Sequence, residues 1–310
     1  MQPFPAACNG VEMRFLIAGS SGFLGTLLRE RLQAEGHAVT RLVRRPPTKG
    51  EVLWDPYTAP LGTAVVDNHD VVVNLAGSPL TGNPHSKRWA EAMVRSRVTT
   101  TGVLARAIAA SETKPTFLVG SGSSWYGDRG DTPLTESEPS TGDAFMTNVT
   151  RQWQAASSPA TAAGVRVCLL RSAPVIDRRN LPWKVMFPAF RLGIGGMVGR
   201  GEQYVPMISA RDWVGAAIHV AGDKLIDGPV NMSCPETPHH REFVKVLGRL
   251  LHRPTALRVP AAVVKVAAGR MAPEVLGSTR PVPEVLLGSG YTFSDPDVEA
   301  ILREGLSPSR

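Results

Sequence analysis

Residues 14–25 read Arg-Phe-Leu-Ile-Ala-Gly-Ser-Ser-Gly-Phe-Leu-Gly. The apolar run Arg14–Ala18 predicts a buried strand. Apolar residues return at helical spacing from Leu24 to Gln33, and Gly36 follows as a stop. Glycines at 19, 22 and 25 fall in the turn between strand and helix. Gly19 permits a tight turn, Gly22 lets the main chain approach a pyrophosphate, and Gly25 allows the helix to pack closely on the strand. The start of the helix then presents free N–H groups and the positive end of its dipole to phosphates. Gly19, Ser20, Ser21, Gly22, Phe23, Leu24 and Gly25 are therefore the candidate dinucleotide-binding turn.

The next strand, His37–Val43, bears on which dinucleotide binds. NAD sites place an acid about twenty residues beyond the turn, on the ribose hydroxyls. Here the stretch is Thr40-Arg41-Leu42-Val43-Arg44-Arg45, with no acid. Arg44 can fork onto a 2′-phosphate, which predicts NADP in preference to NAD. The competing reading of Arg44 and Arg45 is a solvated pair, and strand alternation turns Arg45 to the other side.

Further along, Asp70–Leu75 reads as a buried strand that ends in Asn74-Leu75-Ala76-Gly77. The turn Leu75-Ala76-Gly77, with small residues at Ala76 and Gly77, leaves room for a cofactor backbone. Arg95–Ala110 predicts a helix with Arg97 at its start, near the phosphates. Thr116–Gly120 and Val165–Leu170 are further strands. Strands separated by helices imply right-handed βαβ units, hence an α/β fold with a Rossmann-like doubly wound parallel sheet.

After Arg178 the pattern changes to Pro, Gly and Arg punctuation, with helical stretches at Arg211–Ala221, Phe243–Leu251 and Ala261–Ala268. The expected organisation is a leader over 1–12 and a Rossmann domain over 13–180, joined by a returning helix near 207–226. A smaller C-terminal α/β substrate domain follows over 181–310. Translation starts at Met1 or Met13, where structure-like sequence begins.

The chain has 310 residues, 43% of them hydrophobic and 20% charged, which excludes a disordered or fibrous protein. No run of eighteen apolar residues is present, so no membrane span is expected. The formal charge of +7 is spread along the chain, which argues against a nucleic-acid tail and suits an anionic ligand. Cys8, Cys168 and Cys234 are odd in number and lack metal spacing, which suits a cytoplasmic protein without disulfides. His239-His240 lacks a third ligand, so no metal is expected. Asp128, Asp131, Glu136 and Glu138 read as a solvated loop or a substrate lid.

Past the strand at 116–120 the chain reads Ser121-Gly-Ser-Ser-Trp-Tyr126-Gly127. With the glycine turn, NLAG at 74–77, LLRS at 169–172, FRLGIGGMVGRG at 190–201 and HRP at 252–254, it resembles the extended short-chain dehydrogenase/reductases. More narrowly it resembles their atypical epimerase-like members with a C-terminal DUF1731 region, here about 250–306. The resemblance implies an NADP(H) site formed by Gly19–Gly25, Arg44, Leu75, Ala76 and Arg97. It also implies an unidentified small-molecule substrate bearing a hydroxyl or carbonyl, and a homodimer.

Active members of the wider superfamily use a Ser with a Tyr-x-x-x-Lys pair. That pair would fall at Thr147 and Arg151, so the usual proton donor is missing. Ser121 matches the family's Ser and either hydrogen-bonds a substrate carbonyl or satisfies backbone. Tyr126 is either a substitute proton donor or a packed tyrosine bonded to backbone. Pro206 and Ser209 stand where the subgroup favours Trp and His, so the substrate pocket departs from its pattern. The expected function is an NADP(H)-dependent epimerase-like oxidoreductase. The rival is a non-catalytic NADP(H)-binding sensor or docking protein.

Overall fold

The computed structural model describes residues 12–307, so Cys8 and all of the expected leader but Glu12 lie outside the described residues. The strand before the glycine turn is β1, Arg14–Ala18. It is followed by α1 (Phe23–Ala34), β2 (Ala38–Val43), β3 (Glu51–Leu53) and β4 (Val71–Asn74). Then come α2 (Lys87–Ala110), β5 (Thr116–Gly122), α3 (Phe145–Ala155) and β6 (Val167–Ser172). After the irregular stretch come α4 (Ala210–Gly222), β7 (Gly228–Met232), α5 (His240–Leu251), α6 (Ala261–Ala268) and α7 (Val298–Leu306).

The seven strands form one sheet in the order β7-β6-β5-β4-β1-β2-β3. Every neighbouring pair is parallel. The order reverses beside β1, the crevice where such sheets bind ligands at their carboxyl ends. Helices cover both faces, so a strand such as VVVN at 71–74 is buried throughout. Phe15, Ile17, Val71, Val73, Leu118 and Leu170 face α1 and α4. Leu16, Ala18, Val72, Phe117, Val119 and Val167 face α2.

The sheet does not end with the segment expected to hold it. Its seventh strand, Gly228–Met232, lies beyond 180 and was not foreseen, because GPVNM is short and carries only two apolar residues after its Gly-Pro. It returns through α4, whose cap residue Ser209 accepts from the Asp212 amide at 3.0 Å. A second core joins Trp183, Phe187 and Phe243 to Val298, Ile301 and Leu302 of α7. The buried Asp212 carboxylate accepts from the amides of Ser294 (2.8 Å) and Asp295 (2.7 Å), tying the C-terminal segment to α4.

Candidate functional site

Gly19 has φ +82°, and a Cβ there would lie 2.5 Å from the carbonyl carbon of Leu75. The turn thus presses on the chain leaving β4. At Gly25 a Cβ would lie 2.2 Å from the Gly19 carbonyl oxygen. At Gly22 the nearest atom would be that same oxygen at 3.3 Å, and both Gly22 and Ser21 are exposed. Two glycines therefore let the main chain pack, and the middle one leaves space outside it. Gly22 sits at the cap position of α1, and no side chain caps it. Its helix end keeps its capacity for an anion.

The second wall is Leu75-Ala76-Gly77. Asn74, fully buried, accepts from the Ala76 amide at 3.1 Å and donates to Thr101 at 2.9 Å, so its amide shapes this turn and anchors it to α2. Arg97 lies beneath. A Cβ on Gly77 would come within 3.2 Å of the Arg97 guanidinium carbon. Arg97 does not start a helix, as the sequence suggested. It lies in the middle of α2, which begins at Lys87 under a Ser86 cap. It is only 8% exposed, and its Nη1 donates to the carbonyls of Ser78 (3.3 Å) and Met93 (3.2 Å). Its buried Nε has no partner. Burial pulls the guanidinium down to about 10, with no acid to oppose it. Trp153 lies under the guanidinium, 5.0 Å from ring centre to its carbon.

At the end of β2 three arginines have different fates. Arg45 donates to Glu51 through Nη1 (2.8 Å) and Nη2 (2.6 Å), and Arg41 reaches the same carboxylate at 2.5 Å. Arg44 is exposed and has no hydrogen-bond or ion-pair partner among the described residues. Strand alternation does not orient Arg45, because β2 ends at Val43. Glu51 takes Arg45 aside instead.

On the other side of the switch, the end of β5 carries Ser121. Its hydroxyl accepts from Gln154 Nε2 of α3 at 2.7 Å. Tyr126 is fully buried, which pushes its phenol up. Its hydroxyl lies 2.7 Å from Asn231 Oδ1 and 3.0 Å from the Thr135 carbonyl, and accepts from Arg171 Nη1 at 2.9 Å. Ser121, Arg171 and Asn231 occupy one rung across β5, β6 and β7. Glu136, read as part of a solvated or lid-like stretch, is buried at 7% exposure. It accepts from the amides of Asn231 (3.0 Å) and Val285 (3.3 Å). Thr147 is buried with a hydroxyl that has no partner. Arg151 is held by Ser140 (2.8 Å) and the Gly142 carbonyl (2.7 Å).

A strap from the C-terminal region crosses to this side. Arg270 donates to the carbonyls of Pro84 (3.1 Å) and His85 (2.7 Å). Met271 packs on the cluster of Met93, Met146 and Val149. Ser124 donates to Glu274 at 2.5 Å.

The model of the NAD dependent epimerase/dehydratase family matches residues 15–224, which contain the glycine turn, Arg97 and Ser121. The chain belongs to this family. Residues 259–304 match a second model, the domain of unknown function DUF1731, and these contain the strap. An epimerase family protein of Mycobacterium leprae is 34% identical over 279 residues, covering 89% of this chain and 90% of that relative. The crystal structure of human epimerase family protein SDR39U1 with NADPH has a TM-score of 0.85 at 30% identity, covering 94% of this chain and 99% of the human one. A nucleoside-diphosphate sugar epimerase from Corynebacterium glutamicum has a TM-score of 0.79 at 31% identity. This chain covers 59% of that longer protein, and 96% of this chain is covered.

For this epimerase-family chain the donor set suits a dinucleotide. The helix end is uncapped, Gly22 stands open, and a buried cation has an unpaired nitrogen beside them. Sequence reasoning missed Gln154, Glu51, Glu274 and the Arg171–Glu136–Asn231 cluster as determinants. Arg171 was seen only within LLRS and Glu136 only as part of an acidic loop, while Gln154, Glu51 and Glu274 carried no local signal.

Proposed function

We propose that this chain binds NADP(H) across the carboxyl ends of β1, β2 and β4. The observation that carries the reading is Arg97: a buried guanidinium with an unpartnered Nε and only carbonyl and thioether acceptors on Nη1. A buried cation without a counter-ion is costly, and a pyrophosphate supplies one. The main chain of Gly19–Gly25 and of Leu75, Ala76 and Gly77 would line the diphosphate, and Arg44 would meet the 2′-phosphate. We place the protein in the cytoplasm, where the buried free thiols of Cys168 and Cys234 stay reduced. Among the described residues no helix is long and apolar enough to cross a membrane.

The activity we propose is that of an oxidoreductase on a small molecule with a hydroxyl or carbonyl. The bound nicotinamide would supply hydride chemistry. Ser121 accepts from Gln154, which leaves its own proton free to donate to a substrate oxygen. Tyr126 is a structural residue in this reading, since it is fully buried and its proton is engaged by the Asn231 and Thr135 oxygens. One observation favours the second reading, a cofactor-binding protein without turnover. Neither Thr147 nor Arg151 supplies an acid at the expected place. We expect no epimerase turnover on common nucleotide sugars. Rates near 1 per second or above, abolished by Thr147→Ala or Arg151→Ala, would contradict that. A homodimer through the apolar groove of Ala90, Val94, Val98 and Phe145 between α2 and α3 completes the proposal.

Arg44→Asp tests the cofactor assignment. It removes a charge-assisted partner, worth roughly 1.5–3 kcal/mol, and adds repulsion to the phosphate. NADPH affinity should fall at least about tenfold, while NADH affinity stays within about twofold, measured by nucleotide fluorescence. An unchanged NADPH affinity would reduce Arg44 to a surface charge.

A further inference from the structure

The carboxylate of Glu51 collects more donors than any ribose contact requires. Arg45 Nη1 and Nη2 reach it at 2.8 and 2.6 Å, and Arg41 Nη2 at 2.5 Å. The Thr48 amide and hydroxyl add bonds of 2.8 and 2.7 Å. Glu51 stands on β3 in register with Arg41 of β2, so the turn over 44–50 closes back upon it. The donors hold its carboxyl at about 2, so it is ionised throughout the physiological range. Of the three guanidiniums at the end of β2, two are thereby paired with one carboxylate, Arg45 at the exposed surface and Arg41 partly covered. The third, Arg44, is exposed and has no hydrogen-bond or ion-pair partner among the described residues.

We propose that Glu51 is a specificity-determining residue that acts at one remove: it withholds Arg45 from the 2′-phosphate and so limits NADP preference to a single arginine. NAD enzymes use an acid at the end of the second strand to hold the ribose. Here an acid on the third strand never touches the ribose and sets selectivity by occupying a rival cation. The proposal rests on the NADP(H) reading above. It adds that this chain's discrimination is held below what its arginines could deliver.

Glu51→Gln keeps an acceptor for the Thr48 amide and removes the charge that holds Arg45. NADPH affinity should then rise about tenfold, the worth of one further charge-assisted bond. NADH affinity should stay within about twofold. The gain should shrink as salt rises from about 0.05 to 0.5 M, because the released pair is exposed. The double variant Arg45→Ala/Glu51→Gln has the wild-type net charge and should return NADPH affinity to within about twofold of wild type. Arg45→Ala alone should cost less than about threefold, as for an exposed ion pair. The proposal is overturned by an NADPH affinity that is unchanged or weaker in Glu51→Gln. A gain that survives in the double variant, or a tenfold loss in Arg45→Ala alone, overturns it equally. Wild-type protein that binds neither nucleotide defeats the cofactor reading as well. Wild type that binds NADPH, with Glu51→Gln no tighter, defeats this inference alone.

Discussion

Arg97→Met should weaken NADPH binding at least about a hundredfold without weakening the fold. Methionine matches the length of the arginine stem and suits the apolar surroundings of Trp153 and Met93. The folded protein now carries a buried cation whose Nε is unpaired. Desolvating such a charge costs several kcal/mol, and removing it returns that amount. The lost bonds from Nη1 to Ser78 and Met93 offset part of the gain. The melting temperature of the cofactor-free variant should therefore match or exceed that of wild type. Two charge-assisted bonds to the pyrophosphate are worth roughly 3 kcal/mol or more together, so affinity should fall at least about a hundredfold. Calorimetric unfolding and nucleotide titration read the two effects separately. Retained affinity within about threefold, or a variant that unfolds, would make Arg97 a structural residue.

The second large effect separates two glycines three positions apart. Gly25→Ala should destabilise the protein, although alanine favours a helix over glycine by about 1 kcal/mol. The new Cβ would meet the Gly19 oxygen at 2.2 Å and the Ser20 Cα at 2.8 Å, both main-chain atoms with no rotamer to yield. Overpacking of this kind costs about 3 kcal/mol or more, which lowers the melting temperature by about 6 °C. Gly22→Ala meets only one atom at 3.3 Å, in an extended backbone conformation that alanine adopts. It should melt within about 2 °C of wild type. Its methyl group fills the space the pyrophosphate needs, so NADPH affinity should fall about tenfold or more. Equal melting temperatures for the two variants would contradict the assignment of roles.

The glycine turn was legible because its chemistry is local: strand, turn and helix lie within residues 14–34. The parallel sheet was legible through runs such as VVVN, buried on both faces. Long-range partners were not. Tyr126 was read either as a proton donor or as a packed tyrosine, and its hydroxyl meets Asn231, 105 residues away, and Arg171, partners that no local pattern encodes. Arg97 was placed near the phosphates through a helix start that lies ten residues earlier, at Lys87. What makes it notable is burial without an acid, which no sequence pattern encodes. Arg45 was set aside by strand alternation, whereas the structure pairs it with Glu51. The C-terminal strap reaches Ser124 from Glu274 across 150 residues, a contact that local patterns cannot foresee.

The central claim is that an NADP-selective dinucleotide site is built from the glycine turn, Arg97 and Arg44. Titration of the wild-type protein with NADPH and with NADH, followed by calorimetry at one ionic strength, tests it most directly. Saturable one-to-one binding is expected, with NADPH tighter by about tenfold or more. Absence of saturable NADPH binding, or equal affinities for the two nucleotides, would contradict it.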